Sequence, residues 1–119
     1  MKRIEEQIQI AVIKYLNLAY PDILYCASAG GMRTSFKQAV KMKKTGYVRG
    51  FPDLFIYEPI GDFHGLALEI KTKTGRPTKE QLNWRHRLNL RNYVAEIVYG
   101  FDDSKAVIDR YLSGKVGEH

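Results

Sequence analysis

Two short stretches of β-prone residues constrain the fold of this chain more than any other feature. They span residues 50–57 and 66–72, and both are rich in aromatic and aliphatic side chains. Pro59, Gly61 and Gly65 lie in the gap that separates them. Strands separated by such turn-forming residues are typical of a β-hairpin, so we expect the two stretches to pair with each other.

The alternation of side chains along a strand assigns these residues to two faces of the hairpin. One face is predicted to be apolar and to consist of Leu54, Ile56, Leu66, Leu68 and Ile70. The opposite face carries Asp53, Phe55, Tyr57, Ala67, Glu69 and Lys71. A turn near Gly61 would place Asp53 directly opposite Glu69, and Lys71 would follow on the same face.

Two carboxylates in this arrangement favour a metal site. Like charges that face each other on a sheet destabilise it, and nearby carboxylates raise the pKa of one of the pair. A divalent cation removes the repulsion, because magnesium binds through a few carboxylates and water molecules. Alternatively, Asp53 caps a turn after Pro52, while Glu69 and Lys71 form a solvated ion pair. The whole set of residue types and spacings favours the metal site.

The same residues resemble a known nuclease signature. Asp53 followed by Glu69-x-Lys71 is similar to the motif of the PD-(D/E)XK nuclease superfamily, with Pro52 directly before the aspartate. The segment Gly-Phe-Pro-Asp-Leu at residues 50–54 resembles the VRR-NUC branch of that superfamily, the virus-type replication-repair nucleases. This resemblance implies the restriction-endonuclease-like fold, and the branch suggests an origin in a phage or mobile element.

The extent of the resemblance agrees with the length of the chain. It covers about residues 4–100, and the 119 residues favour one domain, residues 1–119, with a core of about residues 4–112. Hydrophobic residues make up 45% of the chain, which is enough for a core at this size. We therefore expect a single VRR-NUC-like nuclease domain.

Periodicity and turn-forming residues predict the elements before the hairpin. Residues 4–19 form an amphipathic helix, and residues 23–29 form a short buried strand with Cys26 as a small buried hydrophobe. A lysine-rich helix spans residues 35–45, capped by Ser35 or Thr34.

After the hairpin, Thr78 caps a helix that runs to about residue 92 and buries Leu82, Leu88 and Trp84. A strand at residues 93–99 and a helix that begins at Asp102 or Asp103 complete the pattern. The order helix, strand, helix, strand, strand, helix, strand, helix predicts an α/β domain. Its small mixed sheet has about four strands flanked by helices.

The resemblance assigns three further residues to the site. A first-helix glutamate reaches the metal in the resembling family, and Glu5, four residues before Gln9, matches it best, with Glu6 as the alternative. Glu5 could instead be a solvated residue that suits the helix dipole. Gln81 is either a cap of its helix or a residue near the catalytic centre. The main-chain carbonyl of Ile70 is the expected neutral ligand beside Asp53 and Glu69.

The charge distribution predicts a polyanionic partner. The net charge is +6, and basic residues cluster at 32–50 and 71–91, on either side of the carboxylate pair. Solvated helix faces are the alternative, but two basic blocks around a metal site favour binding to a phosphate backbone. The residues expected to bind DNA are Arg33, Lys37, Lys41, Lys44, Arg49, Lys73 and Arg76.

These features together predict an endonuclease that hydrolyses DNA phosphodiester bonds with Mg2+ or Mn2+. Asp53, Glu69 and Glu5 hold the cation, and Lys71 orients the attacking water or stabilises developing charge. Recognition of DNA shape is expected, as at four-way (Holliday) junctions, flaps or nicks in replication, recombination or repair. By resemblance to small junction resolvases, we also expect a homodimer.

Several alternatives share part of this pattern. A flap nuclease, a restriction-like enzyme or an exonuclease would use the same chemistry on another DNA. A non-catalytic nucleic-acid-binding module or a basic protein-interaction domain would lack cleavage altogether.

The sequence also predicts the compartment in which the protein acts. No apolar run approaches the roughly 20 residues that span a membrane, so no membrane partner is expected. The charged start of the chain is unlike a secretory signal peptide. Cys26 is the only cysteine, which excludes an intrachain disulfide and agrees with a reducing, cytoplasmic setting.

Overall fold

The predicted α/β order is confirmed by a computed structural model. It describes residues 2–28 and 35–115 of the chain, with side chains from residue 4 onward. In chain order, the elements are α1 (Lys2–Ala19), β1 (Tyr25–Ala27), α2 (Phe36–Lys44), β2 (Leu54–Ile56), β3 (Leu66–Lys71), α3 (Lys79–Asn89), β4 (Val94–Tyr99) and α4 (Gly100–Leu112). None of these helices is long and apolar enough to cross a membrane.

The strands form one mixed sheet in the order β1-β2-β3-β4. The first three are antiparallel to their neighbours, whereas β3 and β4 are parallel and are joined by α3 as a crossover. Leu54 pairs with Leu68, which is the register predicted for the hairpin. The strand β2 is shorter than predicted because it begins after Pro52, which has no N–H for the sheet ladder.

Helices cover both faces of the sheet. α1 and α4 pack on the predicted apolar face, where Val12 and Leu16 of α1 meet Ile108 and Tyr111 of α4 over the hairpin. α3 covers the other face, where its Leu88 packs with a smaller cluster, formed by Phe55, Ala67 and Ala95. The two-face prediction for the hairpin is therefore confirmed, and Glu69 and Lys71 lie on the α3 side.

The predicted strand at residues 23–29 is confirmed in part, because a strand is present but is not buried. β1 is limited to Tyr25–Ala27, and it lies at the edge of the sheet with β2 as its partner. Because an edge strand is covered by a neighbour on one side alone, Cys26 is exposed rather than buried. The glycines that follow, at residues 30 and 31, lie outside the described residues, as do Thr34 and the last residues of the predicted tail.

The helices begin and end where local hydrogen bonds cap them, and several of these positions differ from the predicted ones. Ser35 caps α2, and Thr78 caps α3, which ends at Asn89. Leu82 of α3 remains 39% exposed, so its predicted burial is wrong. α4 begins at Gly100, before the predicted aspartates, because the Asp103 carboxylate accepts a hydrogen bond from the Tyr99 N–H.

A polar cluster joins α1 and α4 on the face away from Glu69. The Tyr15 and Tyr20 hydroxyls both donate to Oδ1 of Asp109, the latter at 2.7 Å, and Lys105 Nζ lies 2.9 Å from Oδ2. Partial burial acts to raise the pKa of Asp109, but hydrogen bonds from Lys105, Tyr15 and Tyr20 hold it below its ordinary value. The ionised carboxylate therefore stabilises the packing of α4 on α1.

Replacing this carboxylate should destabilise the fold in a pH-dependent way. We expect Asp109→Asn to lower the free energy of unfolding at neutral pH by about 1 kcal/mol, because charged hydrogen bonds to a partly exposed group are lost. A lowered pKa means that the contribution is present above the unfolded pKa of about 3.9 and is lost as pH falls through the folded value. Urea unfolding at neutral pH and at about pH 3 measures both.

The exposed Asp62, in the hairpin turn, provides the control, since Asp62→Asn should leave stability nearly unchanged. An Asp109→Asn defect that persists undiminished in acid would contradict the electrostatic explanation.

Candidate active site

Asp53 is held at the edge of β3 by a main-chain hydrogen bond. Its Oδ2 accepts a hydrogen bond from the Ile70 N–H at 2.8 Å. Asp53 directly precedes Leu54, the first residue of β2, which pairs with Leu68 of β3. The N–H and C=O groups of one strand residue point to the same side, so the Ile70 carbonyl is also directed towards the side where Asp53 lies. The sequence therefore correctly placed Asp53, Ile70 and Glu69 at one end of the sheet.

Glu69 is buried beside two polar side chains. Its Oε2 accepts a hydrogen bond from Nε2 of Gln81 at 3.0 Å and lies 3.5 Å from Nζ of Lys71. Its Oε1 is also buried but has no hydrogen-bond donor among the described residues. A buried oxygen without a donor is costly, and a proton, a water molecule or a cation would satisfy it.

In the protein without metal, the surroundings of Glu69 disfavour its ionised form. Burial raises the pKa of Glu69 to about 9, and repulsion from Asp53 and a shared hydrogen bond with Asp53 act in the same direction. Lys71 offsets this effect in part. A pKa in this range favours the protonated form of Glu69 at neutral pH in the protein without metal.

The donor set fits a hard divalent cation. Two carboxylates and a main-chain carbonyl are oxygen ligands of the kind that magnesium and manganese prefer. No group of three or more His, Cys, Asp or Glu side chains within residues 4–28 and 35–115 could hold a metal ion. Water and phosphate oxygens would fill the remaining positions, as is usual for magnesium and unusual for structural zinc.

The structure does not join the first-helix glutamates to this cluster. Glu5 is half-buried and Glu6 is exposed on α1, which packs on the face of the sheet opposite to Glu69. Among the described side chains, neither has a hydrogen bond or an ion pair with Asp53, Glu69 or Lys71. A role for Glu5 in metal binding stays a prediction.

Gln81 combines the two roles that the sequence offered as alternatives. Its Oε1 accepts from the Thr78 N–H at 2.9 Å, and its own N–H donates to the Thr78 hydroxyl at 3.1 Å, which completes a capping box. Because the Thr78 N–H requires an acceptor, the amide is oriented with Nε2 towards Glu69. The helix cap therefore fixes a hydrogen-bond donor to the buried carboxylate.

Gly50 allows the loop before Asp53 to pack closely on α3. Its φ of +91° is rare for other residues, and a Cβ there would lie 2.7 Å from the main-chain carbon of Glu80. Trp84 Nε1 donates to the Arg49 carbonyl at 3.1 Å, and the Trp84 ring packs edge-on against Phe51 at 5.0 Å. α3 therefore holds the loop that carries Asp53 and also presents Gln81.

Tyr47 belongs to the site but was missed in the sequence. Burial raises the pKa of its hydroxyl, and the negative charges of Glu69 and Asp53 raise it further, so the hydroxyl lies within their electrostatic reach. A tyrosine in an irregular loop has no periodicity to mark it. Its position six residues before Asp53 was the only available signal.

The predicted DNA-binding residues lie on accessible surfaces. Lys37, Lys41 and Lys44 are exposed on α2, and Arg49 is exposed in the loop that leads to Asp53. Lys73 and Arg76 are exposed in the loop that leaves β3 after Lys71. Arg33 lies outside the described residues. Contacts of the others with DNA stay predictions, and their exposure leaves them accessible to a partner.

The protonated state of Glu69 predicts an unusual dependence of stability on pH. Without metal, the folded protein keeps a proton on Glu69 that the unfolded chain releases above about pH 4.3, so stability falls as pH rises towards 9. We expect Glu69→Gln to remove this slope and to be more stable than the wild type at about pH 8. Urea unfolding in EDTA between about pH 5 and 8 measures the difference.

Asp62→Asn, in the exposed hairpin turn, should keep the wild-type slope. If the free energy of unfolding changed with pH equally in the wild type and in Glu69→Gln, the protonated state of Glu69 would be refuted, because the two proteins differ in this one titratable group.

Comparisons with known proteins agree with this geometry. No protein-family model and no curated protein matches the sequence. A solved structure described as a "VRR_NUC domain protein" matches with a TM-score of 0.78 and 26% identity, covering 92% of this chain and 88% of its own.

A second solved structure, described as a "VRR_NUC domain", matches with a TM-score of 0.54 and 21% identity, covering 85% of this chain and 94% of its own. This second likeness concerns the fold alone. The first likeness extends over nearly the whole chain. In the present chain, Asp53, Glu69 and Lys71 lie at one end of the sheet, as the sequence resemblance implies. The first likeness therefore supports a VRR-NUC domain, a nuclease-family domain, and both likenesses show that this chain has the fold of these solved domains.

Proposed function

We propose that this domain is a metal-dependent DNA endonuclease. The observation that supports this most is the buried Oε1 of Glu69, which has no donor among the described residues and lies in a carboxyl pair with Asp53. If the pair had a purely structural role, a neutral residue in place of one carboxylate would serve better, because two neighbouring carboxylates destabilise the fold without a cation. Retention of both is readily explained by metal binding.

The residues of the site would divide the chemistry among them. Asp53, Glu69 and the Ile70 carbonyl would hold Mg2+ or Mn2+, and Glu5 remains a proposed further ligand. The bound cation would supply Lewis-acid activation of water and neutralise charge on the phosphate. Lys71, 3.5 Å from Glu69, would donate to the attacking water or to the phosphoryl oxygen on which charge develops. Gln81 would orient Glu69.

The proposed substrate is branched DNA, with a four-way junction as the first candidate. The exposed cations are lysines and arginines that suit phosphates, and phosphate contacts position a protein without reading sequence. Selection would then depend on DNA shape and deformability. A homodimer with two sites for two strands, phage origin and action in a bacterial cytoplasm complete the proposal by analogy with the resembling nucleases.

A non-catalytic DNA-binding module is the principal alternative. Such a module has no need for an ammonium group and an amide donor arranged around a buried carboxylate. Here Lys71 and Gln81 both contact Oε2 of Glu69 and leave Oε1 for another ligand. This arrangement supports catalysis, and cleavage assays separate the two functions.

Removal of any central residue should abolish cleavage while DNA binding is retained. We expect Asp53→Asn, Glu69→Gln and Lys71→Ala each to reduce cleavage by at least about 100-fold, the order of magnitude for loss of one electrostatic catalytic group. The assay uses linear duplex, single strand, flap and four-way junction, each with magnesium, manganese or EDTA. Gel-shift assays in EDTA measure binding by the same proteins.

Asp62→Asn and Lys14→Ala, at exposed positions outside the basic blocks, are the matched controls and should cleave normally. Near wild-type cleavage by any of the three site variants would refute the role of that residue. Binding without cleavage by the wild type under every metal condition would favour the binding module.

The dual role of Gln81 gives a separate prediction. In Gln81→Glu, the capping box is retained, because glutamate at this position serves the same cap, but the donor to Glu69 becomes a negative charge. We expect cleavage reduced by at least about tenfold, since a positioned hydrogen bond at the site is lost, and lower thermal stability without metal, because a third carboxylate faces the pair. Gln81→Ala should lose both the cap and the activity. Normal cleavage by Gln81→Glu would limit this residue to a structural role.

A further inference from the structure

Helix α2 carries its most apolar side chain on the outside. None of its nine residues is buried, and Phe36 and Val40 are 86% and 38% exposed. Met42 is the one side chain of this helix that is half-buried. An exposed fraction this large is unusual for phenylalanine, which normally lies in a protein core.

The helical arrangement places Phe36 together with the lysines and away from the body of the protein. At about 100° per residue, Phe36 and Val40 lie about 40° apart and about 120° and 160° from Met42. Lys37, Lys41 and Lys44 follow on the same outward arc, between about 80° and 140° from Phe36. The outward face of α2 therefore combines one aromatic ring with a row of ammonium groups.

Local hydrogen bonds form α2 without the help of core packing. Ser35 and Gln38 exchange the two hydrogen bonds of a capping box, each 3.1 Å long. The C-terminal end is joined to the loop that leads to Asp53, because the Tyr47 N–H donates to the Met42 carbonyl at 2.9 Å. Phe36 lies at the other end of this nine-residue helix, about 12 Å along its axis, which is roughly the length of four nucleotides along a strand.

The charge of this face identifies its partner. Residues 35–50 contain Lys37, Lys41, Lys43, Lys44 and Arg49 and no acidic residue. A two-fold contact with a second copy would place the same lysines against each other, which is unfavourable. A nucleic acid satisfies both parts of the face, because its phosphates bind lysines and its unpaired bases stack on aromatic rings.

We propose that Phe36 stacks on an unpaired or loosely stacked base while the α2 lysines bind the adjacent phosphates. Intact duplex offers no free base face, whereas junctions and flaps do. This contact would give the domain its preference for branched DNA, and it rests on the proposed nuclease function for the identity of the substrate.

Fluorescence of DNA that contains 2-aminopurine tests the contact directly. The base is placed at the branch point of a four-way junction, and affinity for this junction and for linear duplex is measured by anisotropy in EDTA. We expect Phe36→Ala to weaken junction binding by about tenfold, to leave duplex binding within about twofold and to abolish the fluorescence change on binding. Phe36→Tyr should retain all three properties of the wild type.

Leu18→Ala is the matched control, because Leu18 is an 85% exposed apolar residue on α1. Equal losses on both DNAs, or no loss on either, would overturn the proposal. A change of oligomeric state in light scattering, with affinity lost on both DNAs, would assign the face to a second copy and would also overturn it.

Cleavage in magnesium distinguishes this inference from the proposed function. If the wild type cleaves junctions and Phe36→Ala keeps the same preference, the inference is wrong and the nuclease stands. If the wild type cleaves no DNA but the 2-aminopurine signal depends on Phe36, the stacking contact stands and the nuclease assignment is wrong.

Discussion

The repulsion between Asp53 and Glu69 is the constraint on which the site depends. Two carboxyl groups at the end of a small sheet, one of them buried, cannot both be ionised without compensation. The protein supplies that compensation from three directions: the Ile70 N–H to Asp53, and Gln81 and Lys71 to a single oxygen of Glu69. One buried oxygen remains, and it determines what else the site can bind.

The crossover helix α3 connects the fold with this compensation. Its first turn presents Gln81, and its second turn presents Trp84, whose indole donates to the carbonyl of Arg49. The close contact at Gly50 locks the same loop against the helix. The amide that donates a hydrogen bond to Glu69 and the loop that carries Asp53 therefore share one rigid support. This explains why the Gly-Phe-Pro-Asp segment and the glutamine helix form one functional unit although they are distant in sequence.

Local patterns in the sequence predicted the hairpin, its register and the face shared by Asp53 and Glu69, because alternation and turn residues determine these features. Burial was harder to predict wherever it depends on neighbours distant in sequence. Cys26 is apolar enough for a core but lies on an edge strand, and Leu82 has helical spacing but faces outward. The contact of Gln81 with Glu69 and the approach of Tyr47 both require the packing of separate elements. No spacing rule contains that information.

The raised pKa of Glu69 has a consequence for the order in which ligands arrive. At neutral pH, a protonated Glu69 leaves the charges of Asp53 and the Lys71 ammonium to balance each other, so the site without metal is formally neutral. Exchange of the proton for a divalent cation makes it formally positive rather than negative. Under the proposed function, a phosphate backbone would not meet a doubly charged carboxylate pair, and DNA and metal could bind in either order.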